Sequence, residues 1–114
     1  MKAVLLDKST IGDDISLTDI ENLCTIESYQ TTSKDEVNLR IKDADILITN
    51  KVLIGKEQMD AAPKLRLICV AATGYNNIDI KEAHKRNIVV ANVKGYSTES
   101  VAQTVFGYIL NIMN

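Results

Sequence analysis

The chain of 114 residues is 46% hydrophobic and 25% charged, with a formal net charge of -2 at pH 7. These values are those of one globular domain, so they exclude a disordered chain and give no basic surface for nucleic acid. No apolar run approaches the roughly 18 residues of a membrane span, and the apolar part of MKAVLLDKST is too short for a signal peptide. We therefore expect a cytoplasmic protein that binds neither nucleic acid nor a membrane.

Five short runs rich in Val, Ile and Leu predict buried parallel strands, because each is bounded by polar or turn residues. The runs are residues 2–7, 24–29, 44–49, 65–71 and 87–92. Helical segments separate them, and no Asn-Gly or Asp-Gly hairpin signal joins them. This alternation predicts the α/β class: a flavodoxin-like three-layer sandwich with a five-stranded parallel sheet in the order 2-1-3-4-5.

Capping signals and apolar spacing predict the helices. Ser33 and Glu36 stand at capping-box spacing, in which the hydroxyl accepts from an unpaired backbone N–H and the glutamate reaches back. Val37 and Ile41 then fall on one helical face. The segment IGKEQMDAAP predicts a short helix that ends at Pro63.

The last predicted helix, VAQTVFGYILNIMN (101–114), contains no charged residue. Its apolar side chains surround most of the helix: Val101, Val105, Phe106, Ile109, Leu110, Ile112 and Met113. A small sheet covers only one side of a helix, so the other side needs a partner. We expect that partner to be either more of the same chain or a second subunit in a homodimer.

The loops at the carboxyl ends of the strands are where ligands bind in open α/β sheets. After the first strand, DKSTIGDD is a weak candidate for a phosphate cradle, and few aromatic residues are present to hold a flavin. After the third strand, Thr49 and Asn50 stand where a phosphoacceptor receiver needs Asp, which disfavours a receiver. Lys51, which follows them, is a cation that could meet an anionic substrate.

The segment VAATGYNNIDI (70–80) places small and turn-forming residues directly after the fourth strand. Gly74 lacks a Cβ, so its backbone can take left-handed angles and an anion can approach its N–H. Thr73 offers a second N–H, and Ile78 and Asp79 are expected to begin a helix whose positive end favours negative charge. The loop is predicted to hold a carboxylate or phosphate through main-chain donors.

The segment after the fifth strand, NVKGYSTESVAQ, supplies Ser97 or Thr98 as a helix cap. Tyr96 lies at the tip of this loop, where a ring with a hydroxyl can cover a ligand. Cys24 and Cys69 predict two buried reduced thiols rather than a disulfide, and no Cys and His cluster predicts a metal site.

The segment AATGYNNIDIKEAHKRNIVVANVKGYSTESVAQTVFGYIL (71–110), together with ADILITNKVLI before it, resembles the D-isomer-specific 2-hydroxyacid dehydrogenases. The resemblance is greatest to the bacterial glycerate dehydrogenase and hydroxypyruvate reductase branch, and it covers essentially the whole chain. Lys94 stands where the family commonly has Pro, and Thr104 where it commonly has His.

The resemblance implies that residues 1–114 are the N-terminal substrate-binding (catalytic) domain, truncated before an NAD-binding Rossmann domain. The backbone of Thr73 and Gly74 would hold the carboxylate of a small 2-keto or 2-hydroxy acid. Tyr96 and Lys51 would be pocket neighbours, and Thr98 would lie near the nicotinamide of NAD or NADP. The family also suggests a homodimer.

The family's catalytic Arg, Glu and His lie further along the chain in family members, so we expect no catalytic residue here and no activity of the chain alone. The five glycines form no Gly-x-Gly-x-x-Gly fingerprint. The single histidine, His84, is expected on a solvated helix face. The alternative is a stand-alone flavodoxin-like binding module that homodimerises through its C-terminal helix.

Overall fold

The computed structural model describes residues 1–11, 18–71, 74–92 and 98–113. Within these residues, five strands and five α-helices alternate. They are β1 (Lys2–Leu5), α1 (Thr18–Glu21), β2 (Thr25–Ser28), α2 (Val37–Ile41), β3 (Ile46–Thr49), α3 (Lys56–Ala61), β4 (Leu67–Val70), α4 (Ile80–Lys85), β5 (Val89–Asn92) and α5 (Thr98–Met113).

The five strands form one parallel sheet in the order β2-β1-β3-β4-β5, which confirms the predicted fold class and strand order. The strands are shorter than the apolar runs that predicted them. Ala44 and Leu65 show why: both are buried, at 0% and 7% exposure, but lie before β3 and β4. Burial extends past the hydrogen-bonded ladder, so hydrophobicity alone overestimates strand length.

Successive side chains of the central strands alternate between two cores, one on each face of the sheet. On β3, Ile46 and Ile48 belong to one core and Leu47 to the other. The first core is closed by α1 and α5, and the second by α2, α3 and α4. The result is the predicted three-layer sandwich, with the loops at the carboxyl ends of the strands gathered along one edge.

At the start of α2, only one of the two hydrogen bonds of the predicted capping box is formed as predicted. The Ser33 N–H donates to Glu36 Oε1 at 2.9 Å, as predicted. The Glu36 N–H, however, donates to the Ser33 carbonyl at 2.9 Å, so a turn precedes the helix and α2 begins at Val37. Val37 and Ile41 are both buried, which confirms their predicted common face.

The long helix α5 packs on the sheet with Val105 and Ile109, which are 1% and 0% exposed. Tyr108 and Leu110 are 37% and 36% exposed, so part of this helix, which has no charged residue after Glu99, faces away from the core. Of the apolar side chains in the prediction, Leu110 is exposed, while Phe106 and Ile112 are half-buried against the core. No helix in the described part of the chain has the length and apolar character needed to cross a lipid bilayer.

Candidate ligand-binding edge of the sheet

Asp7 follows β1 and organises the loop after β3. Its side chain is 5% exposed, and Oδ1 accepts from the Thr49 hydroxyl at 2.9 Å. Two backbone groups also donate to this carboxylate. The Asn50 N–H donates to Oδ1 at 3.0 Å, and the Lys51 N–H donates to Oδ2 at 2.8 Å. Because β1 and β3 are neighbours in the sheet, Asp7 fixes the β3–α3 loop at the point where the strand order reverses.

Asp7 was missed by the sequence analysis, which placed it at the end of the first strand. The signal that could have found it is a single carboxylate directly after the apolar run KAVLL. Such a buried charge requires hydrogen-bond donors, and the loop of the neighbouring strand is the place to look for them.

A second set of contacts ties the β3–α3 loop to the β4–α4 loop. Ile54 and Ile78 form an isolated parallel bridge. The Ile54 N–H donates to the Asn77 carbonyl at 2.8 Å, and the Asp79 N–H donates to the Ile54 carbonyl at 3.0 Å. The Asn77 side-chain amide also donates to the Val52 carbonyl at 2.9 Å. The two loops therefore form one structural unit.

The bridge changes where α4 begins. The prediction that Ile78 and Asp79 begin this helix is wrong, because the bridge keeps Ile78 extended and α4 starts at Ile80. Asp79 is the N-cap, and its carboxylate accepts from the Glu82 N–H at 3.1 Å. The positive end of α4 is thus capped by a carboxylate of the chain itself, and its predicted role in holding an anion is not supported.

Gly74 lies in the loop that the sequence singled out. It is exposed, its φ is outside the left-handed region, and a Cβ added to it would meet nothing within 4 Å. Gly74 therefore does not use the left-handed angles that glycine permits, and internal packing does not require glycine here. The Gly74 N–H forms no hydrogen bond with any described residue. The space beside this main chain is open to a ligand.

Lys51 has a fixed backbone and an exposed side chain, because its N–H is held by Asp7 while its ammonium forms no ion pair with a described residue. It lines a cleft of about 480 Å³ between the loops that follow β1, β2 and β3. Gly74 is not part of the wall of this cleft. The structure thus brings Lys51 and Gly74 to the same edge of the sheet but not into one cleft.

The other predicted site residues are only partly described. Thr73 and Tyr96 lie outside the described residues, as does Ser97. Thr98 is the first residue of α5, and its side chain is outside the described part of the chain. His84 is exposed on α4, as predicted for a solvated helix face.

The buried thiols agree with the prediction: Cys24 and Cys69 are both free. Desolvation raises the pKa of Cys69 to about 12, and burial also raises the pKa of Cys24. Neither thiol is therefore activated as a nucleophile. Among the described residues, no group of three or more His, Cys, Asp and Glu side chains is arranged to hold a metal ion.

These features define a class of protein: a doubly wound α/β domain with a candidate ligand-binding surface, formed by its loops, at the carboxyl edge of a parallel sheet. The family model for the catalytic domain of D-isomer specific 2-hydroxyacid dehydrogenases matches residues 4–107. The chain therefore belongs to the D-isomer specific 2-hydroxyacid dehydrogenases, which confirms the resemblance seen in the sequence.

Individual relatives show the same relationship. A Haemophilus influenzae protein whose name assigns it to the 2-hydroxyacid dehydrogenases is 41% identical over 112 residues, covering 98% of this chain and 36% of the relative. The hydroxypyruvate reductase of Blautia hydrogenotrophica is 38% identical over 116 residues, with coverages of 98% and 36%. NAD+-bound 3-phosphoglycerate dehydrogenase of Entamoeba histolytica superposes with a TM-score of 0.71 at 29% identity, covering 82% of this chain and 32% of that one. The chain spans about a third of the length of these relatives.

Proposed function

We propose that residues 1–114 are the substrate-binding half of an NAD(P)-dependent D-2-hydroxyacid dehydrogenase that acts on a glycerate- or hydroxypyruvate-like acid. Family membership supports the reaction class, the Blautia relative supports the substrate type, and the Entamoeba structure supports NAD as cofactor. The cofactor-binding Rossmann domain would be a separate part of the enzyme. The free buried thiols Cys24 and Cys69 support a cytoplasmic location, where thiols stay reduced.

The observation that carries the proposal is the exposed main chain at Gly74. Its N–H has no partner among the described residues, and the space beside it is open. The loop that presents it is fixed to the β3–α3 loop by the Ile54–Ile78 bridge and the Asn77 side chain. A main chain that is anchored at Asn77 and Ile78 and carries an unused donor at Gly74 suits a carboxylate, since a donor held in place needs little rearrangement when the ligand binds.

In this proposal Thr73 supplies a second N–H to the carboxylate, and Lys51 and Tyr96 neighbour the bound acid. Thr98 lies near the nicotinamide end of the cofactor. NAD(P)H, when bound, supplies the hydride that reduces C2 of the 2-keto acid. The part of this chain is to hold the acid in one orientation, which lowers the entropic cost of bringing the two reactants together.

A chimeric enzyme tests the proposal. Residues 1–112 of this chain replace the aligned segment of the Haemophilus relative, and hydroxypyruvate-dependent NADH oxidation is measured. We expect turnover by the chimera and none by the 114-residue chain alone, because we place the catalytic groups in the remainder of the enzyme. Turnover by the isolated chain, or a folded chimera that reduces no 2-keto acid, would contradict the proposal.

A matched pair of glycine variants tests the role of Gly74 in the chimera. Gly74→Ala is expected to fold normally, because its Cβ meets no atom within 4 Å. If an acid contacts this backbone, the methyl group weakens that contact, and KM rises about tenfold, as for loss of one hydrogen bond to a charged group. Gly107→Ala, at which a Cβ also meets nothing within 4 Å, is the control and should leave KM unchanged.

The exposed part of α5 favours a homodimer, which we propose for the full enzyme. Tyr108 and Leu110 are more than a third exposed on a helix without a charged residue after Glu99. Sedimentation of the chimera should give a dimer, and Leu110→Lys should shift it towards monomer, because burying an unpaired charge is costly. A monomeric chimera with full activity would contradict this proposal.

A further inference from the structure

We infer that the cleft between the loops after β1, β2 and β3 binds a small oxyanion, either a carboxylate or a phosphate group, at a place separate from the Gly74 loop. We call it the lysine cleft, after Lys34 and Lys51 in its wall. Its volume of about 480 Å³ is within the range of small-molecule sites. It lies where the strand order reverses, between β1 and β3, which is the usual place for a ligand in this class of sheet.

The wall of the lysine cleft contains donors without partners. The ammonium groups of Lys34 and Lys51 form no ion pair or hydrogen bond with a described residue. The same holds for the hydroxyls of Ser9 and Thr31. Gln58 uses its Oε1 to accept from the Gly55 N–H at 2.8 Å, which leaves its side-chain N–H groups free of described partners. The unused groups are therefore two cations, the amide donors of Gln58 and two hydroxyls that can donate.

Of the two carboxylates in the wall, Asp7 is engaged within the protein and Glu57 is partly engaged. The Asp7 carboxylate takes hydrogen bonds from Thr10, Thr49 and the backbone of the β3–α3 loop, and it is 5% exposed. Glu57 accepts from the Asn38 amide at 3.3 Å. Asp7 thus presents little negative charge to the cleft, while Glu57 opposes two lysines. A ligand that carries hydrogen-bond acceptors therefore meets mainly ammonium, amide and hydroxyl donors in this cleft.

The physical context strengthens an ion pair in this cleft. Val37 and Val52 form part of its wall, and apolar neighbours reduce the screening of charges by water. The formal charges of the wall balance, with Lys34 and Lys51 against Asp7 and Glu57, but Asp7 is buried, so the exposed charges are two ammonium groups and one carboxylate. An oxyanion bound there would offset this excess of exposed positive charge. A small metabolite that carries a carboxylate or phosphate has the matching chemistry.

This inference does not rest on the proposed function. Lys51 has a role in both proposals. Lys34 belongs only to the lysine cleft, and Gly74 belongs only to the proposed site for the substrate carboxylate. The decisive variant is therefore Lys34→Gln. Lys42→Gln is the matched control, because Lys42 is exposed at the end of α2 and does not line the cleft.

The test is an amide chemical-shift titration of the isotopically labelled 114-residue chain at low ionic strength, with inorganic phosphate in one series and malonate in another. We expect saturable shifts at Ser9, Thr31 and Lys34. Their dissociation constant should rise about threefold or more in Lys34→Gln and stay unchanged in Lys42→Gln. The anion that binds more tightly identifies the group, whether phosphate or carboxylate.

Several results would overturn the inference. They are the absence of saturation with both anions, equal weakening in the two lysine variants, and shifts confined to Gly74 and its neighbours. The spectra of the variants themselves show whether each is folded. Failure of the proposed function would be visible elsewhere, in an inactive chimera, and would leave this titration unaffected.

Discussion

The carboxylate of Asp7 accepts a hydrogen bond from the backbone N–H of Lys51 at 2.8 Å, although 44 positions separate the two residues in the sequence. This contact joins the end of β1 to the first residues of the β3–α3 loop. It places the Lys51 side chain at the carboxyl edge of the sheet by holding its main chain. A buried carboxylate therefore positions a cation that both ligand proposals use.

Asp7→Asn should be strongly destabilising. Asparagine keeps the shape of the side chain, but an NH2 group in place of Oδ2 cannot accept from the Lys51 N–H and instead faces this donor. We expect a loss of about 3 kcal/mol in the free energy of unfolding, since hydrogen bonds to a charged group contribute about 1.5–3 kcal/mol each. Urea denaturation measures this change in the free energy of unfolding. Asp43→Asn, at an exposed position, is the control and should change stability by less than about 0.5 kcal/mol. Equal effects of the two variants would remove the organising role of Asp7.

The contacts between the β3–α3 loop and the β4–α4 loop make a second prediction. Asn77→Ala removes the hydrogen bond to the Val52 carbonyl, so the Ile54–Ile78 bridge should open more often. We expect a loss of about 1 kcal/mol in stability and faster hydrogen exchange at the Ile54 amide. Asn76→Ala, one position earlier and exposed, should leave both quantities unchanged. If exchange at Ile54 is the same in both variants, the Asn77 side chain does not secure the loops.

The strand order could be predicted from the sequence because it depends on local patterns. Apolar runs such as ADILIT alternate with helical segments, and right-handed crossovers leave few possible sheets. The buried pair Val37 and Ile41 was likewise visible in the helical spacing. These features need no knowledge of which residues meet across the fold.

The details of the candidate site could not be predicted in the same way. The donors that Asp7 captures are set by the register of β1 against β3, and the start of α4 is set by the pairing of Ile78 with Ile54. Both depend on contacts between distant segments. Local chemistry correctly predicted an accessible Gly74, but it gave the wrong first residue for α4.

The end of α4 gives a prediction about backbone strain. Asn87 has φ of 58°, in the left-handed region, and the Ile88 N–H donates to the Ala83 carbonyl at 2.9 Å. This is the Schellman arrangement, in which glycine is the preferred residue. Asn87→Gly should keep or slightly raise the melting temperature. Asn87→Val should cost about 1–2 kcal/mol, because a β-branched residue is strained at this φ. Chemical denaturation measures the free energy of unfolding of both variants. An Asn87→Val variant as stable as the native chain would contradict the expected strain.

The buried thiol of Cys69 predicts a loss of stability at alkaline pH. Its pKa is raised from 9.0 to about 12 by desolvation, so between these values the unfolded chain releases a proton that the folded chain keeps. The unfolded state then binds fewer protons, and the stability contributed by this group, fully present below pH 9, falls as pH rises towards 12. Its share of the slope is up to about 1.4 kcal/mol per pH unit.

Cys69→Ala isolates that contribution. The variant should be less stable at neutral pH, since it leaves a small cavity, but its stability should fall less steeply between pH 9 and 11. Native and variant chains are compared by urea denaturation at each pH. Cys24→Ala controls for the loss of a thiol at a less deeply buried position, with 8% exposure against 1% for Cys69. It should flatten the slope less, because desolvation raises the pKa of Cys24 without reaching the value of Cys69. Parallel slopes for the native and Cys69→Ala chains would show that this thiol ionises as readily in the folded protein as in the unfolded one.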